Sequence, residues 1–261
     1  MSVSQRHCLI SCIPKGDKSR ALLKNWRPIS LLSCVYKILS SAIANRLKKV
    51  LDKLVSRTQT GFISGRYIGE NIRLVYDLIH YTENENIPGM IMLVDFEKAF
   101  DSVSWYFIYH VLDYLNFGNK FKKWIKLFNT NITASVIQCG FLSEPFPIER
   151  GCRQGDPISP YLFILCAQIL YLMIMDNNRV RGITIRQKEL KISQFADDTT
   201  IILDGTEDSL QAALNVLEIF GGISGLKVNT EKTQIVWIGR KRGSKVKLKV
   251  NRELRWGTDN F

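Results

Sequence analysis

Apolar positions in this 261-residue chain fall into short continuous runs and helical stripes, separated by polar, glycine-bearing turns. Residues 7–13 read as a strand, and Pro14-Lys15-Gly16-Asp17 turns the chain into a basic segment over 18–27. Over 29–54 the spacing of Ile38, Leu39, Ala42, Ile43, Leu47, Val50 and Leu51 predicts one amphipathic helix. A polar connector over 58–69 precedes a helix over 71–81 and a loop over 83–89. Met90-Ile91-Met92-Leu93-Val94 is an unbroken apolar run that stops at Asp95, the pattern of a buried strand delivering an acid at its carboxyl end before a helix starts. Helices are expected over 105–116 and 120–131, then a strand pair over 132–139 and 144–149. A loop over 151–157 leads to an apolar helix from Ser159-Pro160 to Asp176, and a strand follows at 182–185. The apolar-rich flanks 190–194 and 199–203 read as a hairpin. An amphipathic helix over 207–221 and strands over 235–239 and 245–250 complete the pattern, the last alternating Lys with Val or Leu.

The hairpin exposes Asp197 and Asp198 at its tip. Adjacent carboxylates resist joint ionisation unless a cation neutralises them, and hard oxygen donors of this kind suit Mg²⁺. Asp-Asp in a turn is by itself commonly just solvated, so a third acid from elsewhere has to complete the site. Asp95 is that acid, because a charge at the end of a dry strand wants a partner or a metal. Glu97 and Asp101 lie close enough to compete, but read more simply as a solvated helix start and local caps. Asp95, Asp197 and Asp198 together suit two Mg²⁺ ions ~4 Å apart for in-line phosphoryl displacement.

The 46% hydrophobic and 23% charged fractions are those of an ordinary globular protein with ample material for a core. The net charge of +12 is not ordinary. Residues 240–255 hold eight Lys or Arg against the single acid Glu253, which concentrates seven of those charges in one segment; the basic balance suggests a polyanion partner, nucleic acid or a membrane surface, while the tail by itself reads as a solvated charge run. Six cysteines lack CxxC pairing, and His7, Cys8 and Cys12 lack the second ligand pair of a zinc site. Several of the cysteines sit in apolar stretches and read as small core residues in a reducing compartment. With no secretory pattern, and with the apolar stretch 161–175 shorter than the ~20 residues of a membrane span, the expectation is a soluble, intracellular protein without membrane contact.

Four blocks occur in order: Asn25-Trp-Arg-Pro-Ile-Ser-Leu31, Val94-Asp-Phe-Glu-Lys-Ala-Phe-Asp101, Gly151-Cys-Arg-Gln-Gly-Asp-Pro157 and Phe195-Ala-Asp-Asp198. Together they resemble the reverse transcriptase domain of non-long-terminal-repeat (LINE-like) retrotransposons, over residues 7–240. The resemblance implies an α+β right-hand polymerase fold, with a palm built as an antiparallel sheet backed by helices. Fingers would lie mainly in 7–89 and the palm core in 90–106 and 150–239. The basic stretch 241–261 would be the start of a truncated thumb.

By the same resemblance, Asp95, Asp197 and Asp198 are the catalytic acids and hold two Mg²⁺ ions, with Mn²⁺ as a substitute and the Phe96 backbone carbonyl as a further ligand. Lys15 and Arg27 would meet the incoming deoxynucleoside triphosphate, for which a point charge and a planar fork both suit phosphate oxygens. Phe100 would close the sugar pocket against a 2′-hydroxyl, although from periodicity alone it is only the apolar face of a helix. Gln154 and Gly155 would form the block beside nucleotide and template, with Arg153 reading more simply as a solvated loop charge. Lys227 and Lys232 are both candidates for the lysine that protonates pyrophosphate, and spacing does not separate them. Gln59, Gly61 and Arg66 resemble a template-contacting connector.

The implied activity is RNA-directed DNA polymerisation on an RNA template and DNA primer, within an element whose reverse transcriptase works in the nucleus. Neither an endonuclease nor a thumb pattern accompanies the blocks, so weak or absent extension is expected of the isolated chain. An RNA-binding remnant without chemistry is the alternative. A two-metal nuclease is a third reading, which leaves Phe100 and Gln154-Gly155 without a role.

Overall fold

The computed structural model of the chain describes residues 1–17, 19–248 and 254–257. The first half runs α1 (Val3–Arg6), β1 (His7–Pro14), β2 (Trp26–Leu31), α2 (Cys34–Leu54), α3 (Ile68–Asn84), β3 (Pro88–Val94), α4 (Ala99–Ser102), α5 (Trp105–Tyr114) and α6 (Asn119–Phe128). The second half runs β4 (Thr133–Gln138), β5 (Phe141–Leu142), β6 (Phe146–Pro147), α7 (Ser159–Asp176), β7 (Ile183–Ile185) and β8 (Lys188–Leu190). It continues through β9 (Ile192–Phe195), β10 (Asp198–Leu203), α8 (Glu207–Ser224), β11 (Gln234–Gly239) and β12 (Arg255–Trp256). These elements form two compact units, Met1–Leu51 with Phe100–Phe163, and Asp52–Ala99 with the described residues of Ile164–Phe261.

In the first unit the sheet order is β2-β1-β4-β5, with β6 also on β4. β2 lies antiparallel to β1, with Leu9 opposite Leu31 and Ile13 opposite Arg27. The helix expected from residue 29 therefore starts at Cys34 instead, because Ile29–Leu31 are drawn into this pairing. Pro28 is tolerated there because β2 is an edge strand, where a missing N–H is not needed. The buried stripe of α2 also differs from the expected one. Tyr36, Ser40, Ile43, Ala44, Leu47 and Leu51 face inward, while Ile38 and Val50 are exposed. The reason is polar: the hydroxyls of Tyr36 and Ser40 both donate to the buried carboxylate of Asp156.

In the second unit the sheet order is β12-β11-β3-β10-β9. β3 is its middle strand, antiparallel to β10 and β11, which explains why its sequence is a continuous apolar run rather than an alternation. Leu78 of α3 packs on Ile91, Ile202 and Ile238 of the sheet and on Ile183 of β7, forming a dry cluster. α8 packs along β10. Its start is capped by Thr206, whose side chain accepts from the Ser209 N–H, and its end by Gly225 in the left-handed region.

α7 is the one described helix long and apolar enough to cross a membrane by length and composition. Its Phe163, Ile164, Leu165, Cys166, Leu170 and Ile174 are at most 1% exposed, which is the packing of a core helix. The strand expected over 245–250 is not formed at 245–248, and 249–250 lie outside the described residues. The main chain there is held from the side, by Trp237 Nε1 donating to the Val246 carbonyl.

Candidate active site

β3 ends at Val94 opposite Thr199 of β10, so one step further along the same register Asp95 faces Asp198. The hairpin of β9 and β10 pairs Phe195 with Asp198 and leaves only Ala196 and Asp197 in its loop. The sheet thus brings Asp95 to the same end as the pair Asp197-Asp198, about a hundred residues further along the chain. Burial first, then the charges of Asp198 and Asp95, push the Asp197 carboxyl above the usual carboxylate range, against a backbone hydrogen bond that lowers it. Burial and then Asp95 move Asp198 in the same direction. Carboxylates raised by burial and by neighbouring charge are what a divalent cation relieves.

The segment after β3 is clamped to the turn beyond α8. Phe96 forms an isolated antiparallel bridge with Val228. Its two hydrogen bonds run from Glu97 N–H to Lys227 O and from Asn229 N–H to Asp95 O, each 2.8 Å, so neither uses the Phe96 carbonyl. The Phe96 ring is anchored edge-on against Phe220 of α8, and the Asp95 N–H donates to Thr233 Oγ1. From that turn Lys232 Nζ reaches Asp95 Oδ2 at 3.3 Å, while Lys227 contributes its backbone carbonyl. Among the described residues no three acid, His or Cys side chains form a ready metal-holding group. The donor set nevertheless fits a hard divalent cation: two carboxylates at facing register positions, a third in the intervening turn, and a carbonyl the bridge does not use.

The connector residues expected at the template have other work. Gln59 is 1% exposed; its Oε1 accepts from the N–H groups of Ala196 and Gly61, and its Nε2 donates to the Ala196 carbonyl. Gly61 is buried, and a methyl group there would lie 2.4 Å from the Ala196 nitrogen. Arg66 spends its guanidinium on the carbonyls of Ser56, Gln59 and Val55 and on the Asp52 carboxylate. Gln59, Gly61 and Arg66, expected at the template, thus have polar groups engaged inside the fold. The only sequence signal for this was a glutamine two residues before a glycine, with partners some 137 residues away.

The remaining candidates lie in the first unit. Phe100 is half-buried and stacks on Phe163, centroids 4.5 Å apart and 18° from parallel. Gln154 donates through Nε2 to Asp101 at 3.3 and 3.4 Å, and its carbonyl accepts from the Ser30 N–H. Gly155 holds φ of +106°, and a Cβ there would meet the Ser30 carbonyl oxygen at 2.8 Å, so only glycine fits. Arg153 is not a solvated loop charge. It is 8% exposed and donates to Tyr36 Oη, the Phe128 carbonyl and Asp156 Oδ2. Lys15 donates from Nζ to the Lys24 carbonyl, and Arg27 is exposed on β2.

Residues 13–253 match the family model described as reverse transcriptase (RNA-dependent DNA polymerase). The transposon TX1 uncharacterized 149 kDa protein of Xenopus laevis is 31% identical over 235 residues, which span 89% of this chain and 18% of that relative. The retrovirus-related Pol polyprotein from type-1 retrotransposable element R2 of Popillia japonica is 26% identical, over 88% of this chain and 32% of its own length. The chain thus spans less than a third of either relative. Telomerase from Candida tropicalis, solved in complex with a telomeric RNA fragment, superposes with a TM-score of 0.63 at 13% identity, over 91% of this chain and 42% of that one. That likeness shows the polymerase fold, and the retrotransposon relatives bear out the LINE-like resemblance of the four blocks.

Proposed function

This chain belongs to the reverse transcriptase (RNA-dependent DNA polymerase) family, and from that premise we propose that it is the polymerising segment of a retrotransposon protein, extending a DNA primer on an RNA template. The observation that carries the reading is the register that sets Asp95 facing Asp198, with Asp197 in the adjoining turn. Bound by these carboxylates and the Phe96 carbonyl, two Mg²⁺ ions would supply charge neutralisation at the triphosphate and a more acidic primer 3′-hydroxyl.

The chain's own groups do the remaining work. Lys232 gives a proton to the departing pyrophosphate, a choice over Lys227 that is supported by the Lys232 Nζ contact with Asp95 Oδ2. Lys15 and Arg27 offer fixed positive charge to phosphate oxygens. Phe100, its ring orientation set by Phe163, excludes a ribose 2′-hydroxyl. Gln154 and Gly155 bring backbone close to the nascent pair, with the Gln154 amide oriented by Asp101.

The test is primer extension on an RNA template with deoxynucleotides and Mg²⁺ at low salt, where phosphate contacts are strongest. Extension by the parent, lost in Asp197→Asn with RNA binding retained, supports the proposal. RNA binding without any extension by the parent would instead make the chain a binding remnant.

A further inference from the structure

We propose that Gln59 is a positioning residue that sets the acid turn, with Gly61 and Arg66 as its support. Its effect on metal binding rests on the reading of Asp197 and Asp198 as ligands; its structural effect does not. The hairpin loop has two residues, and Ala196 within it holds φ of +55°, a conformation that L-residues seldom adopt unless their surroundings impose it.

Gln59 imposes it. One primary amide accepts from the Ala196 N–H at 2.8 Å and the Gly61 N–H at 2.9 Å, and donates to the Ala196 carbonyl at 3.3 Å. Glutamine alone among side chains of this length has both the acceptor and the donor for that backbone unit. The main chain around it is tied to the same hairpin. Thr60 N–H donates to the Gln194 carbonyl and Gln194 N–H to the Thr58 carbonyl, a parallel bridge along the free edge of β9. Asn71 Nδ2 adds a second donor to the Gln194 carbonyl at 2.7 Å. Behind this, the Arg66 guanidinium holds the Gln59 carbonyl at 2.7 Å, and the bare Cα of Gly61 lets the connector lie directly against Ala196. The direction in which Asp197 leaves the turn therefore depends on a side chain that never meets the reacting atoms.

Gln59→Leu removes all three contacts at similar volume, and Gln59→Glu keeps the accepting ones while losing the donor. Both are made in the full chain. Three quantities are read: hydrogen exchange of peptides covering the β9–β10 hairpin, binding of Mn²⁺ alone, and thermal stability. In Gln59→Leu, exchange at the hairpin tip should rise about tenfold or more, the loss of one hydrogen bond's protection, while the far ends of β3 and β11 keep their parent rates. Mn²⁺ affinity should fall at least about fivefold, and Gln59→Glu should lie between parent and Gln59→Leu in exchange. A purely structural role would instead speed exchange across the whole sheet in step with the fall in Tm, and that outcome overturns the proposal. Unchanged hairpin exchange overturns it as well, and if Gln59→Leu does not fold, parent-like exchange in Gln59→Glu does the same. A parent that binds no Mn²⁺ would sink the metal reading, leaving the exchange arm to decide the brace.

Discussion

Lys232 Nζ lies 3.3 Å from Asp95 Oδ2, across 137 residues of sequence. The contact exists because the turn after α8 is stitched to the end of β3 by the Phe96–Val228 bridge, which puts the side chain of residue 232, not 227, at the acids. Lysine and carboxylate are both partly exposed, so the pair adds little to stability and is easily opened by a competing cation.

Lys232→Ala is therefore expected to slow single-turnover extension by roughly 10²-fold, the lower range for loss of a general acid, with little change in nucleotide affinity. Lys227→Ala should stay within about twofold of the parent, since only its backbone is used. Equal losses in both variants would reopen the choice between them.

Asp197→Asn should abolish extension and at the same time stabilise the metal-free fold. Burial, then Asp198 and Asp95, hold the Asp197 carboxyl above the usual range. A carboxyl raised in the folded state binds its proton more tightly there. Its favourable contribution is thus present at low pH and is lost as the pH climbs from the unfolded value through the raised folded one. The variant's advantage should open across and just above the ordinary carboxylate range, in chelator, and should be absent at acid pH where the carboxyl is protonated in folded and unfolded states alike. Calorimetry of both proteins from acid to neutral pH measures it; a variant less stable than its parent at neutral pH refutes the electrostatic account.

What could be read from residue order was whatever depends on local pattern. Asp95 ends an apolar run because β3 is a buried middle strand, and Asp197-Asp198 sits between two strand flanks because the loop is only two residues long. What could not be read depends on distant partners. Ile29–Leu31 carry helical spacing but pair with Leu9–Ser11, and no local signal outweighs that register. Tyr36 and Ser40 turn α2 inward because Asp156, some 120 residues on, needs their hydroxyls. Gln59 reads as a polar connector residue because two of its three backbone contacts, both to Ala196, are invisible until the hairpin is folded against it.

Phe100→Ala should relax sugar discrimination by about 10²-fold in the ratio of deoxynucleotide to ribonucleotide incorporation. In the parent, stacking on Phe163 at 4.5 Å leaves the ring no freedom to swing away from an added hydroxyl. The lost stack should also cost stability, by about 3–5 kcal/mol at most for a large-to-small change at this half-buried position. Competing incorporation of the two sugars at fixed template base is the measurement. A ratio unchanged from the parent would return Phe100 to the role of a packing residue.

The strongest stability effect is expected at Asp156. It accepts from Tyr36, Ser40 and Arg153, and at 4% exposure it has no water to replace them. The Arg153 guanidinium also lies over the Tyr36 ring, 4.5 Å from its centroid, and is itself buried. Removing the carboxylate strands a buried cation and two hydroxyls, which costs about 3–5 kcal/mol where one partner of a buried pair is deleted. Asp156→Ala should therefore lower Tm by on the order of 10 °C, at about 2–4 °C per kcal/mol for a chain of this size. Asp156→Asn retains an acceptor for the hydroxyls but not the charge for Arg153, and should fall between. Arg153→Met, which removes the cation and keeps the stem, should be milder than Asp156→Ala, because the carboxylate left behind still holds two hydroxyl donors. Urea unfolding of the three variants orders them, and an Arg153→Met protein less stable than Asp156→Ala would mean that the cation, not the carboxylate, is the centre of the cluster.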